Sequence, residues 1–75
     1  MPPININDLV LFSDSSTVYQ VVLINYIKQT ITLQPIFGDL RFLGNFTIKF
    51  SEVKKCQVLG NIKTNPLLQL LYGKD

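Results

Sequence analysis

The side chains that could carry out catalysis are few in this sequence and stand far apart along it. The chain contains no histidine and a single cysteine, Cys56, and four of its five carboxylates, Asp8, Asp14, Asp39 and Glu52, occur singly rather than in close pairs. A nucleophilic cysteine needs a nearby base, and general acid–base catalysis needs its groups held together in one site. We therefore expect no enzymatic activity, and we interpret Cys56 as a small buried hydrophobic residue.

The same scarcity limits metal binding and covalent cross-linking. Without histidine and with one cysteine, the chain cannot assemble the usual zinc ligand sets or an internal disulfide. We expect no cofactor and no metal. The 75 residues form one domain of a size that often needs such a staple to be stable. Apolar packing, a partner, or both must therefore supply the stability.

The composition favours a contact with another protein. Apolar residues make up 47% of the chain, and charged residues make up 16%, against roughly 25% in an average soluble domain. A domain of this size has few fully enclosed positions, so part of the apolar surface should stay exposed. Contiguous exposed apolar surface usually marks a protein contact or self-association. We therefore expect a protein partner or a homo-oligomer.

The cationic residues gather in the second half of the chain, interleaved with phenylalanines. The candidate nucleic-acid contacts are Arg41, Lys49, Lys54, Lys55 and Lys63. Basic side chains along a phosphate backbone, with rings stacked on bases, are typical of proteins that bind single strands. The alternation of NFTIKF, however, points its phenylalanines inward and its lysine outward, and the net charge is only +2. A solvated basic edge is therefore the alternative interpretation.

The first residues and the apolar runs bear on the compartment. MPPININD has neither the basic start nor the long apolar stretch of a signal peptide. The longest apolar run, VVLI at 21–24, is far shorter than the roughly 20 residues that a membrane-spanning helix needs. We therefore expect a soluble cytoplasmic protein with no membrane span.

Three stretches in the first half are predicted to be β-strands. DLVLF at 8–12 is apolar and is followed by the turn-forming cluster SDSS. TVYQVVLINYI at 17–27 is apolar on both faces, with Val18 and Ile24 predicted on one of them, which is typical of a strand that is central or covered by another element. QTITLQPI alternates, with Ile31 and Leu33 on one face, and should form a hairpin with the preceding strand through NYIKQ. Pro35 must end this strand or lie at a sheet edge.

Two further strands follow an apolar loop, IFGDLRFLG. NFTIKF alternates, with Phe46, Ile48 and Phe50 predicted inward and Lys49 outward. SEVKK predicts a single 3₁₀ turn. CQVL at 56–59 predicts the last strand, which we expect to stop at Gly60.

The last 15 residues predict a short helix. Asn65 is a suitable N-cap, Pro66 fits the first helical position, and Gly73 is a natural stop. A helix of about two turns is not stable alone in water, so it must pack on the strands or on a partner. If it packs on the strands, we expect burial of Leu67, Leu70 and Leu71, with Leu68 or Tyr72 left outside.

This order of elements resembles the SH3-like small β-barrels, in particular the Tudor and KOW groups. The resemblance covers about residues 8–59 and rests on DLVLF as the opening strand, VYQVVLINYIKQTITLQPI as the central hairpin, and FSEVKKCQVL as strand, turn and closing strand. It implies an all-β fold, an SH3-like five-stranded small barrel with a short C-terminal helix. The domain would span 8–60, after a lead-in at 1–7 and before an extension at 61–75. The sequence departs from the KOW pattern in the central turn, where NYIKQ has no glycine.

The resemblance to Tudor domains also implies a candidate aromatic cage. By position, Tyr19 and Phe37 match two walls of a cage for a methylated cation, with Phe12 or Phe42 nearby. The alternative interpretation is that these rings fill the core, because in a chain without tryptophan phenylalanine and tyrosine are the main large core residues.

Two functional hypotheses follow. The first is a non-enzymatic protein-interaction module, or a small accessory subunit of a larger complex, that binds through the apolar loop and the C-terminal helix. The predicted protein contacts are Phe37, Leu40, Phe42, Leu43, Leu68 and Tyr72. The alternative is an RNA- or DNA-binding small barrel of Tudor or KOW type, which would use the five cationic residues named above.

Overall fold

Five strands, a 3₁₀ turn and one helix make up the part of the chain that the structure describes. The fold was obtained as a computed structural model, and the structure describes residues 4–13, 16–38 and 44–73. The elements are β1 (Asp8–Phe12), β2 (Val18–Asn25), β3 (Thr30–Phe37), β4 (Phe46–Lys49), the 3₁₀ turn (Phe50–Lys55), β5 (Cys56–Asn61) and α1 (Pro66–Tyr72). Each predicted element is present, and its ends lie within two residues of the prediction.

The strands form one antiparallel sheet in the order β4-β3-β2-β1-β5. The β2–β3 hairpin is the longest ladder, from the pair Asn25 and Thr30 at its turn to the pair Val18 and Phe37 at its open end. β5 pairs with β1, which brings the last strand beside the first. The predicted mainly β fold, with five strands and a short C-terminal helix, is confirmed.

One face of the sheet carries the larger of two apolar cores. Its buried members are Ile4, Val10, Tyr19, Val21, Ile31, Leu33, Ile48 and Val53. The alternation predicted for β3 is confirmed, because Ile31 and Leu33 are fully buried while Gln34 is exposed. In β4, Ile48 is buried as predicted, whereas Phe46 remains partly exposed at the sheet edge.

A β-bulge in β2 changes which side chains share a face. The ladder register shifts between Val21 and Leu23. Strict alternation predicted that Ile24 lies on the face of Val18. A one-residue bulge reverses the alternation beyond it, and Ile24 instead packs against the same core as Val21. That prediction was therefore wrong for the second half of β2.

The opposite face of the sheet carries a smaller core beneath α1. Leu9 and Val18 are buried there together with Leu68 of the helix. Partly buried apolar residues surround them: Leu11, Ile36, Leu59, Ile62 and Tyr72. The first half of β2 is therefore covered on both faces, as its apolar sequence predicted.

The turn between β2 and β3 has a left-handed residue, and β3 contains a proline; the structure accommodates both. Gln29 takes a left-handed conformation with φ 57°, so a glutamine occupies a backbone position that glycine usually fills. The Asn25 Oδ1 accepts a hydrogen bond of 2.9 Å from the Lys28 amide, which closes the turn. Pro35 lies in β3 beyond Leu33, where the pairing with β4 ends, so its missing N–H leaves the β3–β4 ladder intact.

Candidate functional site

The C-terminal helix begins and ends where the sequence predicts. The Asn65 Oδ1 accepts hydrogen bonds from the amides of Leu67, at 3.0 Å, and Leu68, at 3.3 Å. Pro66 occupies the first turn, where its missing N–H costs nothing. The Gly73 amide donates to the Gln69 carbonyl and closes the last turn. These caps satisfy backbone groups that a helix of seven residues would otherwise leave without partners.

The face that α1 turns toward the sheet is the reverse of the prediction. Leu68 is 7% exposed and packs on Leu9 and Val18, whereas Leu70 is 81% exposed. Leu67 and Leu71 are more than half exposed. The prediction that Leu67, Leu70 and Leu71 are buried, with Leu68 or Tyr72 left outside, was therefore wrong: Leu68 is buried and Tyr72 is half-buried. The caps set where the helix begins, but its rotation depends on where the sheet leaves room for a side chain.

That room is provided by Gly60, which lies inside β5 rather than at its end. β5 continues to Asn61, so the prediction that Gly60 stops the strand was wrong. A Cβ on Gly60 would lie 2.7 Å from Leu68 Cδ1. The φ of Gly60 is 146°, at a bulge where the β1–β5 register shifts between Leu9 and Val10. The missing side chain and the unusual backbone together create the depression that Leu68 fills.

The exposed side of the helix forms an apolar surface, which we call the outer leucine face. It consists of Leu67, Leu70 and Leu71, which stand three and four positions apart and therefore lie on one side of the helix. The helix contains no charged residue. Leu68 and, at the end of the helix, Tyr72 attach α1 to the sheet, and the other three leucines of the helix remain in contact with solvent.

Phe37 and Tyr72, two of the predicted protein contacts, lie against each other. Their ring centroids are 5.5 Å apart at an interplanar angle of 74°, an edge-to-face contact. Phe37 remains 52% exposed. The pair joins the end of β3 to the end of α1. The other predicted contacts in this loop, Leu40, Phe42 and Leu43, lie outside the described residues.

An open groove of about 520 Å³ runs between the sheet and α1, and we call it the glutamine groove. It is lined by Gln20, Gln34, Ile36, Ile62, Lys63, Gln69, Tyr72 and Gly73. Sequence reasoning missed this site because its residues come from two strands, the segment after β5 and the helix. The one local signal was the alternation along β3, which places Gln34 and Ile36 on the face opposite Ile31 and Leu33.

The predicted nucleic-acid contacts do not share one groove. Lys49, Lys54, Lys55 and Lys63 are exposed, while Arg41 lies outside the described residues. Lys54 and Lys55 line a second groove of about 370 Å³ beside Cys56, whereas Lys63 lines the glutamine groove. The four lysines among the predicted nucleic-acid contacts are therefore divided between separate parts of the surface.

The aromatic residues suggested as a cage belong to different environments. Tyr19 is buried in the larger core, with ring centroids 5.6 Å from Phe12 and 5.2 Å from Phe46. Phe37 contacts Tyr72 of the helix instead. Phe42 lies outside the described residues. Tyr19 thus acts as a core residue, in line with the alternative interpretation.

The groups considered for catalysis make structural contacts. Asp8 is buried, and its carboxylate accepts hydrogen bonds from the Asn5 amide, at 2.9 Å, and from Asn61 Nδ2, at 2.8 Å. Burial raises the pKa of the Cys56 thiol, and the nearby charge of Glu52 raises it further. A raised pKa leaves less thiolate at neutral pH and lowers the reactivity of this sulfur.

Among the described residues, Glu52 is the carboxylate that remains, and it also makes a structural contact. Glu52 accepts a hydrogen bond from the Lys49 amide at the start of the 3₁₀ turn, at 3.2 Å. Asp14 and Asp39 lie outside the described residues. Within residues 4–13, 16–38 and 44–73, no three side chains of His, Cys, Asp or Glu lie close enough to hold a metal ion.

Comparison of the chain with protein-family models, with curated proteins and with solved structures finds no match. In the part of the chain that the structure describes, no helix has the length and apolarity that crossing a membrane requires. The candidate site is therefore interpreted from its own geometry, namely the outer leucine face, the Phe37–Tyr72 pair and the glutamine groove.

Proposed function

We propose that this protein is a non-enzymatic protein-interaction module, or a small accessory subunit of a larger complex, built on an SH3-like barrel. The strand order β4-β3-β2-β1-β5 and the 3₁₀ turn before the last strand support the barrel. The contact surface combines the outer leucine face with the Phe37–Tyr72 pair. It does not include the predicted contact Leu68, which is buried between α1 and the sheet.

The outer leucine face is the observation that carries this proposal. Burying a leucine side chain contributes about 1.5–3 kcal/mol, yet three of the four leucines of α1 remain more than half exposed. A helix that served only to cover the sheet would place most of its leucines inward. The absence of charge on α1 also suits a surface that is buried in a complex, since charged groups are depleted from the centres of interfaces.

Nucleic-acid binding is the alternative function, and the exposure of Lys49, Lys54, Lys55 and Lys63 supports it. Their division between separate parts of the surface is evidence against it, because binding to a phosphate backbone depends on cations gathered along one track. If oligonucleotides bind, the affinity should fall steeply as salt is raised.

The test of the contact surface compares substitutions of one exposed leucine and one exposed isoleucine, which lie on different parts of the molecule. Leu70→Gln removes apolar contact surface from the outer leucine face, and Ile27→Gln is the matched control at the hairpin turn, where Ile27 is 95% exposed. Proteins that copurify with the wild type are identified by mass spectrometry and produced in pure form. Self-association of each variant is measured by sedimentation equilibrium.

We expect the purified partner, or the second copy in a homo-oligomer, to bind the Leu70→Gln variant about tenfold or more weakly, as for an interface hot spot. The Ile27→Gln variant should bind like the wild type. Equal binding by all three proteins would reject the outer leucine face as the contact surface. A wild type that stays monomeric at high concentration and binds no protein would reject the proposed function itself.

A further inference from the structure

We propose that the glutamine groove binds an extended, acidic peptide segment in which an acidic residue stands two or three positions from an apolar one. This inference rests on the proposed function, because it assigns a partner chemistry to a protein-interaction module. It concerns a different surface from the outer leucine face. Its volume of about 520 Å³ lies within the roughly 300–1,000 Å³ that is typical of binding clefts.

The floor of the groove repeats with the period of an extended chain. Gln20 and Gln34 are direct cross-strand partners of β2 and β3, so their carboxamides lie side by side. Gln34 and Ile36 stand two positions apart on one face of β3, a spacing of about 7 Å. A peptide in extended conformation has the same spacing between side chains on one side. The floor therefore offers a polar and an apolar contact in register with such a peptide.

The carboxamides are held ready to bind peptide groups. Gln20 Nε2 donates to Asn7 Oδ1 at 3.0 Å, and Gln69 Nε2 donates to the Lys63 carbonyl at 3.2 Å. These bonds fix both side chains and leave their Oε1 atoms as acceptors. A peptide bond presents one N–H donor and one C=O acceptor, which a carboxamide can match with its own acceptor and donor. Holding the receptor groups in place lowers the entropic cost of binding.

The two ends of the groove differ in chemistry. At one end Lys63 follows Ile62, whose amide donates to the Asn7 carbonyl beside Gln20. At the other end Tyr72 contacts Phe37, next to Ile36. The helix between these ends has seven residues, a length of about 10 Å. Two or three residues of an extended peptide cover roughly 7–10 Å, which sets the separation of its acidic and apolar residues.

The charge of the residues that line the groove determines which sign of charge is favoured on the peptide. Lys63 is a cation, and none of the eight described residues that line the groove is a carboxylate. Among the described residues, Lys63 has no ion-pair partner, so its charge is available to a ligand. An acidic side chain is therefore attracted at this end, and a basic one in the same position is not.

Nuclear magnetic resonance titration of the full chain tests the proposal, because glutamine side-chain amides give their own signals. The probes are acetylated and amidated pentapeptides in which leucine and glutamate stand two or three residues apart, in either order. The control peptides carry lysine in place of glutamate. The variants are Lys63→Glu and, as a control with the same charge change at the hairpin turn, Lys28→Glu.

We expect at least one leucine–glutamate peptide to shift the side-chain signals of Gln20, Gln34 and Gln69, and its lysine counterpart to bind more weakly. Lys63→Glu should weaken binding by roughly three- to tenfold, because it replaces an attraction by a repulsion at a solvent-exposed position. Lys28→Glu should leave binding unchanged. Lys63 can be replaced without loss of its backbone bonds, which are made by its amide and carbonyl.

Four results would overturn the proposal: no shift at the glutamines up to millimolar peptide, equal binding of the lysine peptides, shifts confined to the outer leucine face, or equal binding by Lys63→Glu and wild type. A single-stranded oligonucleotide that shifts the same glutamines more strongly than every peptide would also overturn it. If the groove binds no peptide while Leu70→Gln loses the partner, the proposed function stands and this inference fails. If peptides bind but no protein partner exists, the peptide-binding inference stands and the proposed function fails.

Discussion

At the scale of single residues, Gly60 determines how the helix meets the sheet. Its φ of 146° lies in a region that side-chain-bearing residues rarely adopt. Its missing Cβ leaves the space that Leu68 Cδ1 occupies. The bulge between Leu9 and Val10 positions this glycine under α1. One residue without a side chain therefore fixes both a local backbone conformation and a contact between two elements.

We expect Gly60→Ala to lower the free energy of unfolding by about 1–3 kcal/mol, the usual cost of a strained backbone position. The added methyl group also meets Leu68 at 2.7 Å. The measurement is urea unfolding followed by circular dichroism. Gly44→Ala is the matched control, because a Cβ on Gly44 has no neighbour within 4 Å. Equal stability of the two variants would show that Gly60 does not carry the contact with α1.

At the scale of elements, α1 has two separate roles on its two sides. Leu68 holds the helix on the second core, and the outer leucine face remains available for binding. The Asn65 cap starts the helix, but a helix of this length depends on tertiary contacts for its stability. Leu68 therefore contributes more to folding than any exposed leucine of the same helix.

We expect Leu68→Ala to lower the free energy of unfolding by about 2–5 kcal/mol, the range for buried leucines. Leu70→Ala, at an 81% exposed position, should change it by less than about 0.5 kcal/mol. Both variants keep alanine's high helix propensity, so the difference reports burial. Chemical denaturation measures the two values. A loss at Leu70 as large as that at Leu68 would mean that the outer leucine face is buried in the folded protein.

At the scale of the whole molecule, a buried carboxylate connects the segment before β1 to the end of β5. Asp8 accepts from the Asn5 amide and from Asn61 Nδ2, while the same Nδ2 also donates to the Ile6 carbonyl at 3.0 Å. Asn61 then accepts from the amide of Asn65, which begins α1. The network links the segment before β1 to the segment that carries the helix.

We expect Asp8→Ala to lower the free energy of unfolding by about 3 kcal/mol, because hydrogen bonds to charged groups contribute about 1.5–3 kcal/mol each. Faster hydrogen exchange at the Asn5 amide should accompany this loss. Glu52→Ala removes one carboxylate bond at the exposed start of the 3₁₀ turn and should cost less than about 1 kcal/mol. Thermal unfolding compares the variants. An equal loss of stability in the Asp8→Ala and Glu52→Ala variants would show that the connection between the segment before β1 and the end of β5 adds no stability.

Part of the candidate site could be predicted from the sequence. Phe37 and Tyr72 were named as contacts and lie together, because both are aromatic residues at the ends of recognisable elements. The orientation of Leu68 was predicted wrongly, since a run of leucines on both sides of a helix does not specify which side faces the sheet. The glutamine groove was missed because its lining residues are distant in sequence.

The sequence by itself determined which segments form strands, turn and helix and in what order they follow along the chain. Alternation along strands and capping residues are local patterns that act within a few residues. The sequence also determined the caps at Asn65 and Gly73. The tertiary structure alone decided the rotation of α1, the reversal of faces beyond the β2 bulge and the place of Gly60 beneath Leu68. These features depend on where a neighbouring element leaves space, and that space exists only once the sheet and the helix have packed together.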